Sequence, residues 1–292
     1  MVALLRTGRR SWVEYAAMVE ERGSARAILE DELATDGNVS GQQTLLTPGH
    51  PDAQDLIDAA QTDLERWDAQ GMRLATVLDP AYPANLRAVH DRPPMVFVAG
   101  CLTPADGNGI AVVGARKATS HGLASAAAIA QHLTEHGYTV VSGLAAGIDT
   151  AAHTAALGRS GRTVAVIGTG LARCYPPQNA ALQRRIASEC AVISQFWPDA
   201  PPTRRSFPMR NAVMSGFALA TVVVEASDTS GARMQARLAL AQGRPVFLLA
   251  SLVAQQAWAH DYAKRPGTHV VRDPTDITTV LERLIAPGSL VA

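Results

Sequence analysis

The chain has 292 residues, enough for one large domain or a main domain with a smaller partner, and its 26 basic residues balance 26 acidic ones. A neutral total excludes any argument about partners from net charge, and no apolar run reaches the roughly 18 residues of a membrane span. Cys101, Cys174 and Cys190 have neither metal-ligand spacing nor an even framework, which reads as reduced thiols in a cytoplasmic protein. No apolar signal-peptide core is seen at the start of the sequence.

The charge is unevenly placed. Residues 106–250 hold 13 Lys/Arg against 7 Asp/Glu, a net of +6, and the flanking segments together hold −6. A basic middle between acidic ends suits a polyanion site in the middle, although chance segregation gives the same pattern.

Residues 1–70 read as helical. Trp12, Tyr15, Ala16 and Val19 share one face, residues 25–33 form a second helix, and residues 53–69 a third, with Leu56, Ile57, Ala60 and Leu64 on one stripe. A polar loop is expected over residues 37–51. Residues 74–78 and 95–98 then read as strands. From residue 110 strands alternate with helices: strands at 110–113, 139–141, 163–167, 191–194, 220–225 and 245–250, helices at 120–136, 149–157, 179–188, 208–217 and 231–242. The tail carries a helix near 254–263, a strand at 269–271 and a helix at 274–285. Strands apolar throughout and interleaved with helices predict an α/β fold, a doubly wound, mostly parallel sheet covered on both faces, whose ligands sit at the carboxyl ends of the strands.

The stretch Tyr138–Gly158, YTVVSGLAAGIDTAAHTAALG, is the centre of this pattern. A short strand empties through small residues onto a helix, with Asp149 suited to the N-cap and Gly158 to the stop. Backbone N–H groups left free there, with the helix dipole behind them, favour an anion such as phosphate. A tight turn that binds nothing is equally consistent. His153, four residues after Asp149, makes a structural Asp–His pair as good a reading as chemistry. Arg233 and Arg237, also four apart, read as a solvated face.

Other strand ends bring further candidates to the same sheet edge: Gly114 and Arg116, Ser142, Gly143 and Gly147, Gly168 and Gly170, Arg210 and Asn211 at a helix start, and Glu225, Ser230 and Gly231. Donors, small residues, two arginines and one acid suit a phosphate with an attached base or sugar. Phe207, Trp197 and Tyr175 are the aromatic candidates beside them. Gly168-Thr169-Gly170 lacks the third small residue and the later acid of a dinucleotide fingerprint, which argues against a nicotinamide cofactor. The sequence offers no nucleophile elbow, Walker lysine or metal spacing, so no catalytic residue, metal or cofactor is assigned.

These residues resemble the DprA/Smf family of DNA-processing proteins. The resemblance rests on Gly114-Ala115-Arg116, SGLAAGIDTAAH, TVAVIGTGL followed by Tyr175-Pro176 and Asn179, FPMRN, EASDTSG and GRPVF, and covers roughly residues 72–250. It implies an extended Rossmann-like fold over residues 71–252, preceded by an N-terminal helical region at 1–70 and followed by a helical extension at 253–292 without a winged helix. It further implies a non-enzymatic protein that binds single-stranded DNA, protects incoming strands in natural transformation and loads a RecA-type recombinase, with a homodimer admitted. The family's pocket arginine maps to Arg116, and its SGLA and RN elements to Ser142, Gly143, Arg210 and Asn211. The departures include basic positions replaced by Ala212 and by Pro177-Gln178, the motif serine replaced by Ala115, a Ser-Glu pair that reads Ser194-Gln195, and altered runs at 230–236 and 248–251. Arg204, Arg205, Arg233 and Arg237 are candidate substitutes. The alternative within this lineage is a nucleotide sensor or nucleoside-monophosphate ribohydrolase, although the ribohydrolase signature is missing.

Overall fold

The computed structural model describes residues 1–38 and 52–285. The N-terminal helices are α1 (Val2–Arg6), α2 (Trp12–Arg22), α3 (Ala25–Asn38) and α4 (Ala53–Ala69). Ser11 with Glu14, and Asp52 with Asp55, cap α2 and α4 by reciprocal side-chain to backbone bonds. The second helix runs five residues further than expected, and the expected loop at 37–51 lies, from residue 39 on, outside the described residues. Strand β1 (Met72–Thr76), helix α5 (Ala84–Arg87) and strand β2 (Met95–Gly100) follow. The first strand stops earlier than its apolar run because the Asp79 carboxylate accepts from the Thr76 N–H at 2.7 Å and hydroxyl at 2.8 Å and turns the chain.

The alternation is then β3 (Gly109–Val113), α6 (Ser120–Glu135), β4 (Thr139–Ser142), α7 (Ile148–Gly158), β5 (Thr163–Val166), α8 (Ala180–Glu189), β6 (Ala191–Ser194), α9 (Ser206–Phe217), β7 (Ala220–Val223), α10 (Gly231–Ala241) and β8 (Val246–Leu249). The chain ends with α11 (Ala250–Gln255), α12 (Ala257–Tyr262), β9 (Thr268–Val271) and α13 (Pro274–Ile285). The single helix expected near 254–263 is two, broken at Gln256, whose φ −127° and ψ 117° are extended. Helix α9 starts two residues before Pro208, because Thr203 and Ser206 exchange side-chain to backbone bonds at 3.0 and 3.1 Å.

The nine strands form one sheet in the order β1-β2-β6-β5-β4-β3-β7-β8-β9. Only the β1–β2 and β2–β6 pairs are antiparallel. Strands β3 to β8 are fully buried apart from edge effects, as strands covered on both faces must be. From β3 the chain winds outward through β4, β5 and β6, then crosses to β7 on the other side of β3. That reversal makes the carboxyl ends of β3 and β7 the switch point of the fold, where a crevice opens between diverging loops. The N-terminal helices pack on the β2–β6 side: Trp67 stands edge-on to Phe97 at 5.1 Å, and Trp12 to Trp197 at 5.6 Å. Among the described residues no helix is long and apolar enough to cross a membrane.

Candidate functional site

A cavity of about 870 Å³ occupies the switch point. Its walls come from the segment after β3 (Gly114, Arg116, Lys117, Thr119), the start of α9 (Phe207, Arg210, Asn211), the segment after β7 (Glu225, Ser230, Gly231) and the start of α11. Six of the eleven expected binding residues line it: Gly114, Arg116, Arg210, Asn211, Ser230 and Gly231. The other five do not.

The glycine loop after β4 explains most of the difference. Asp149 is not the N-cap of α7; Gly147, at φ 80°, takes that position. Asp149 sits inside the first turn and turns back, accepting from the Gly143 N–H at 3.1 Å and the Ala145 N–H at 3.3 Å. Leu144, at φ 56°, bends the loop so that both amides converge on that carboxylate. The donors expected to await a phosphate are therefore occupied by the chain's own acid. Burial pushes the Asp149 carboxyl up, and the charge of Arg210 with the two amides pulls it back down.

Arg210 is 6% exposed. Its guanidinium donates to the carbonyls of Gly143 and of Val166, the latter at 2.9 Å, and its Nε to Asn211 Oδ1 at 2.9 Å. It ties the ends of β4 and β5 to α9, and burial lowers its pKa against the pull of Asp149. Gly143 is required for this: a Cβ there would lie 2.1 Å from the Arg210 guanidinium. Asn211 Nδ2 donates to the Gly231 carbonyl at 3.2 Å, joining α9 to the head of α10. Ser142 is wholly buried and donates to the Val112 carbonyl at 2.7 Å. Gly147 lies against the Ala115 carbonyl, Gly168 beneath the Phe207 ring, and Gly170 against the carbonyls of Trp197 and Pro198.

His153 does not pair with Asp149. Its Nδ1 lies 2.7 Å from Thr163 Oγ1, whose hydroxyl proton goes to the Val140 carbonyl, so Nδ1 is the donor. Burial pushes this imidazole down to about 3 and keeps it neutral. Arg233 is paired with Asp228 and lies over the Trp258 ring at 6.0 Å. Trp197 belongs to the aromatic cluster under the N-terminal helices, 6.1 Å from Trp67 and 6.2 Å from Phe97, rather than to the cavity.

What remains open is the mouth. Arg116 and Lys117 are exposed, and neither has an acidic partner among the described residues. The Arg116 guanidinium lies 5.2 Å from the centroid of Phe207, and the Tyr175 ring centroid lies 5.5 Å from that of the same ring. Deeper in, Glu225 is half-buried and accepts from Thr119, from Oγ1 at 2.9 Å and from the N–H at 3.1 Å, so it holds the head of α6. Ser230 caps α10, accepting from the Ala232 N–H at 3.2 Å, and leaves Gly231 exposed. No sequence signal assigned Lys117 or Thr119 a role; their place follows from lying next to Arg116 on the loop that leaves β3. Asp149 as a second acid of the cavity was not legible either, since a cap and a back-turned carboxylate share one sequence signal. Among the described residues no group of His, Cys, Asp or Glu could hold a metal ion.

Fold and site together define a doubly wound, Rossmann-like α/β protein with a cationic cleft at its switch point. A family model described as DNA recombination-mediator protein A matches residues 73–282. The chain belongs to this family. Protein Smf of Synechocystis sp. is 40% identical over 190 residues, which is 64% of this chain and 48% of that protein. The crystal structure of DNA processing protein A (DprA) from Streptococcus pneumoniae superposes with a TM-score of 0.66 at 30% identity, covering 86% of this chain and 92% of that one. DNA processing protein A from Helicobacter pylori, described for its single-stranded DNA binding mode, shares the fold with a TM-score of 0.63 at 23% identity over 72% of this chain and 96% of that one. The chain spans about half to three fifths of the length of the curated relatives it matches first.

Proposed function

We propose that this chain binds single-stranded DNA at the switch-point cavity, with Arg116 and Lys117 meeting phosphates at its mouth. The observation that carries the reading is Arg116: exposed, without an acidic partner among the described residues, and held over the Phe207 ring 5.2 Å away. A guanidinium so placed offers its fork to a phosphate while the ring beside it offers a face to a base. Membership of the recombination-mediator family supports the same partner. Protection of the strand, delivery to a RecA-type recombinase and a cytoplasmic homodimer complete the proposal, and these rest on the family resemblance.

A second reading has one observation in its favour. Two carboxyl groups, Asp149 and Glu225, line the cavity, and glycosidic hydrolysis uses such a pair. Each is already engaged, Asp149 by two amides and Glu225 by Thr119, and the neutral His153 is buried and bonded to Thr163. We therefore place binding ahead of catalysis. Filter binding with labelled oligonucleotides tests the proposal. Affinity is expected to fall with salt, by a slope of roughly −0.7 per phosphate engaged. Arg116→Ala is expected to cost about 1–3 kcal/mol of affinity with the thermal midpoint unchanged. Equal binding by a folded Arg116→Ala variant would remove Arg116 from the site.

A further inference from the structure

The cavity accounts for Arg116 and Lys117 but not for a second set of groups just outside it. Phe207 forms one edge of the mouth, and Tyr175 packs against it with ring centroids 5.5 Å apart. Tyr175 is 41% exposed, so a large ring left to solvent lies against Phe207. Arg204 and Arg205 immediately precede α9. Both are exposed and neither has an ion pair among the described residues.

Two loops hold these groups side by side. The Gly170 N–H donates to the Ala200 carbonyl at 2.9 Å, the Ala172 N–H to Pro198 at 3.0 Å and Arg173 Nε to Asp199 at 2.7 Å. The reciprocal Thr203–Ser206 bonds then fix the turn that carries the two arginines into α9. Asp199 is the acid of this loop, and its carboxylate pairs with neither arginine. A cationic strip with an exposed aromatic face beside it has the make-up of a single-strand track, where phosphates meet charge and bases meet flat apolar surface. Pro177 and Gln178, which follow Tyr175-Pro176, carry no charge, so the positive groups next to Tyr175 are the guanidiniums on the adjoining loop.

We propose that a DNA strand leaves the cavity over Phe207 and continues across Tyr175 and the Arg204–Arg205 pair, a second contact surface outside the cavity that lengthens the footprint. The inference rests on the single-strand reading given above. It is tested by binding a short oligothymidylate that fills the cavity alone and one of about three times that length, with full-length protein. Arg204→Ala with Arg205→Ala is expected to weaken the long strand about tenfold, leave the short one within about twofold, and lower the salt slope on the long strand by about 1.4, two phosphates at roughly 0.7 each. Tyr175→Ala is expected to weaken the long strand about fivefold and Tyr175→Phe to restore it, since stacking needs the ring and not the hydroxyl. These side chains are exposed, so an unchanged thermal midpoint should accompany each variant.

A double variant that binds the long strand like the wild type, or that loses both lengths equally, overturns the track. If Arg116→Ala weakens both lengths while the double variant weakens neither, the cavity reading stands and the track alone falls. A wild-type protein that binds neither length overturns both.

Discussion

The loops that leave β4 and β3 begin alike, with glycine and small residues after a buried strand, and end differently. After β4 the chain supplies its own anion: Asp149 takes the Gly143 and Ala145 amides, and Arg210 closes the ends of β4 and β5 from the side. After β3 the chain supplies cations with no acidic partner among the described residues, Arg116 and Lys117, at the mouth of the cavity. A strand-to-helix turn is thus an anion site only if no acid in the following helix can reach back into it. The closed loop is structural, and the open one presents its cations to solvent.

The sharpest way to break this contrast is to remove the internal anion. Asp149→Ala leaves the buried Gly143 amide and the half-buried Ala145 amide unpaired and the buried charge of Arg210 uncompensated, and is expected to cost about 3–5 kcal/mol of stability in urea denaturation. A loss under about 1 kcal/mol would mean that water or another group serves those donors equally well. On the open side the corresponding removal, Arg116→Ala, is expected to lower DNA affinity by the smaller amount given above and to leave stability alone. The two variants together separate the roles of the loops.

The closed half should answer to pH. His153, on α7, is held at about 3 by burial, well below its ordinary value of 6.5. Between those values the unfolded chain binds a proton that the folded protein does not. Stability from this residue is therefore complete above about pH 6.5 and falls on acidification, by up to about 1.4 kcal/mol per pH unit. Denaturation of the wild type and His153→Gln at pH 7, 6 and 5 measures the difference, and an equal slope in both proteins would assign the acid sensitivity elsewhere. The open half should answer to salt instead.

The smallest effect is expected at Glu225. It anchors Thr119 at the head of α6, and glutamine keeps an acceptor for that bond. Glu225→Gln is expected to change single-strand affinity by less than about 1 kcal/mol. Long incubation with each nucleoside monophosphate, followed by chromatography, is expected to return the nucleotide intact. Free base that disappears with Glu225→Gln would promote hydrolysis over binding.

The alternating apolar strands and helical stripes, read in order, determined the α/β architecture, the parallel sheet and the edge on which its loops gather. Period and burial are local properties, so runs such as Ile110–Val113 and Ala191–Ser194 are legible one segment at a time. Strand order, and with it the position of the crevice, was not legible: nothing in the runs themselves says that the chain returns to pair β7 with β3. Tertiary structure also decided which candidates share the cavity. Gly168 and Gly170 end β5, two strands from β3, and lie under Phe207 and against the Trp197–Pro198 carbonyls. Arg116 and Arg210 are both candidate phosphate contacts by sequence, one just after a strand-terminal glycine and one at a helix start, but one ends exposed and the other as a buried strut. The difference is the distance each side chain must travel to find an uncapped carbonyl or a carboxylate. Only the fold sets that distance: it puts Gly143, Val166 and Asp149 around Arg210 and leaves Arg116 facing solvent across Phe207.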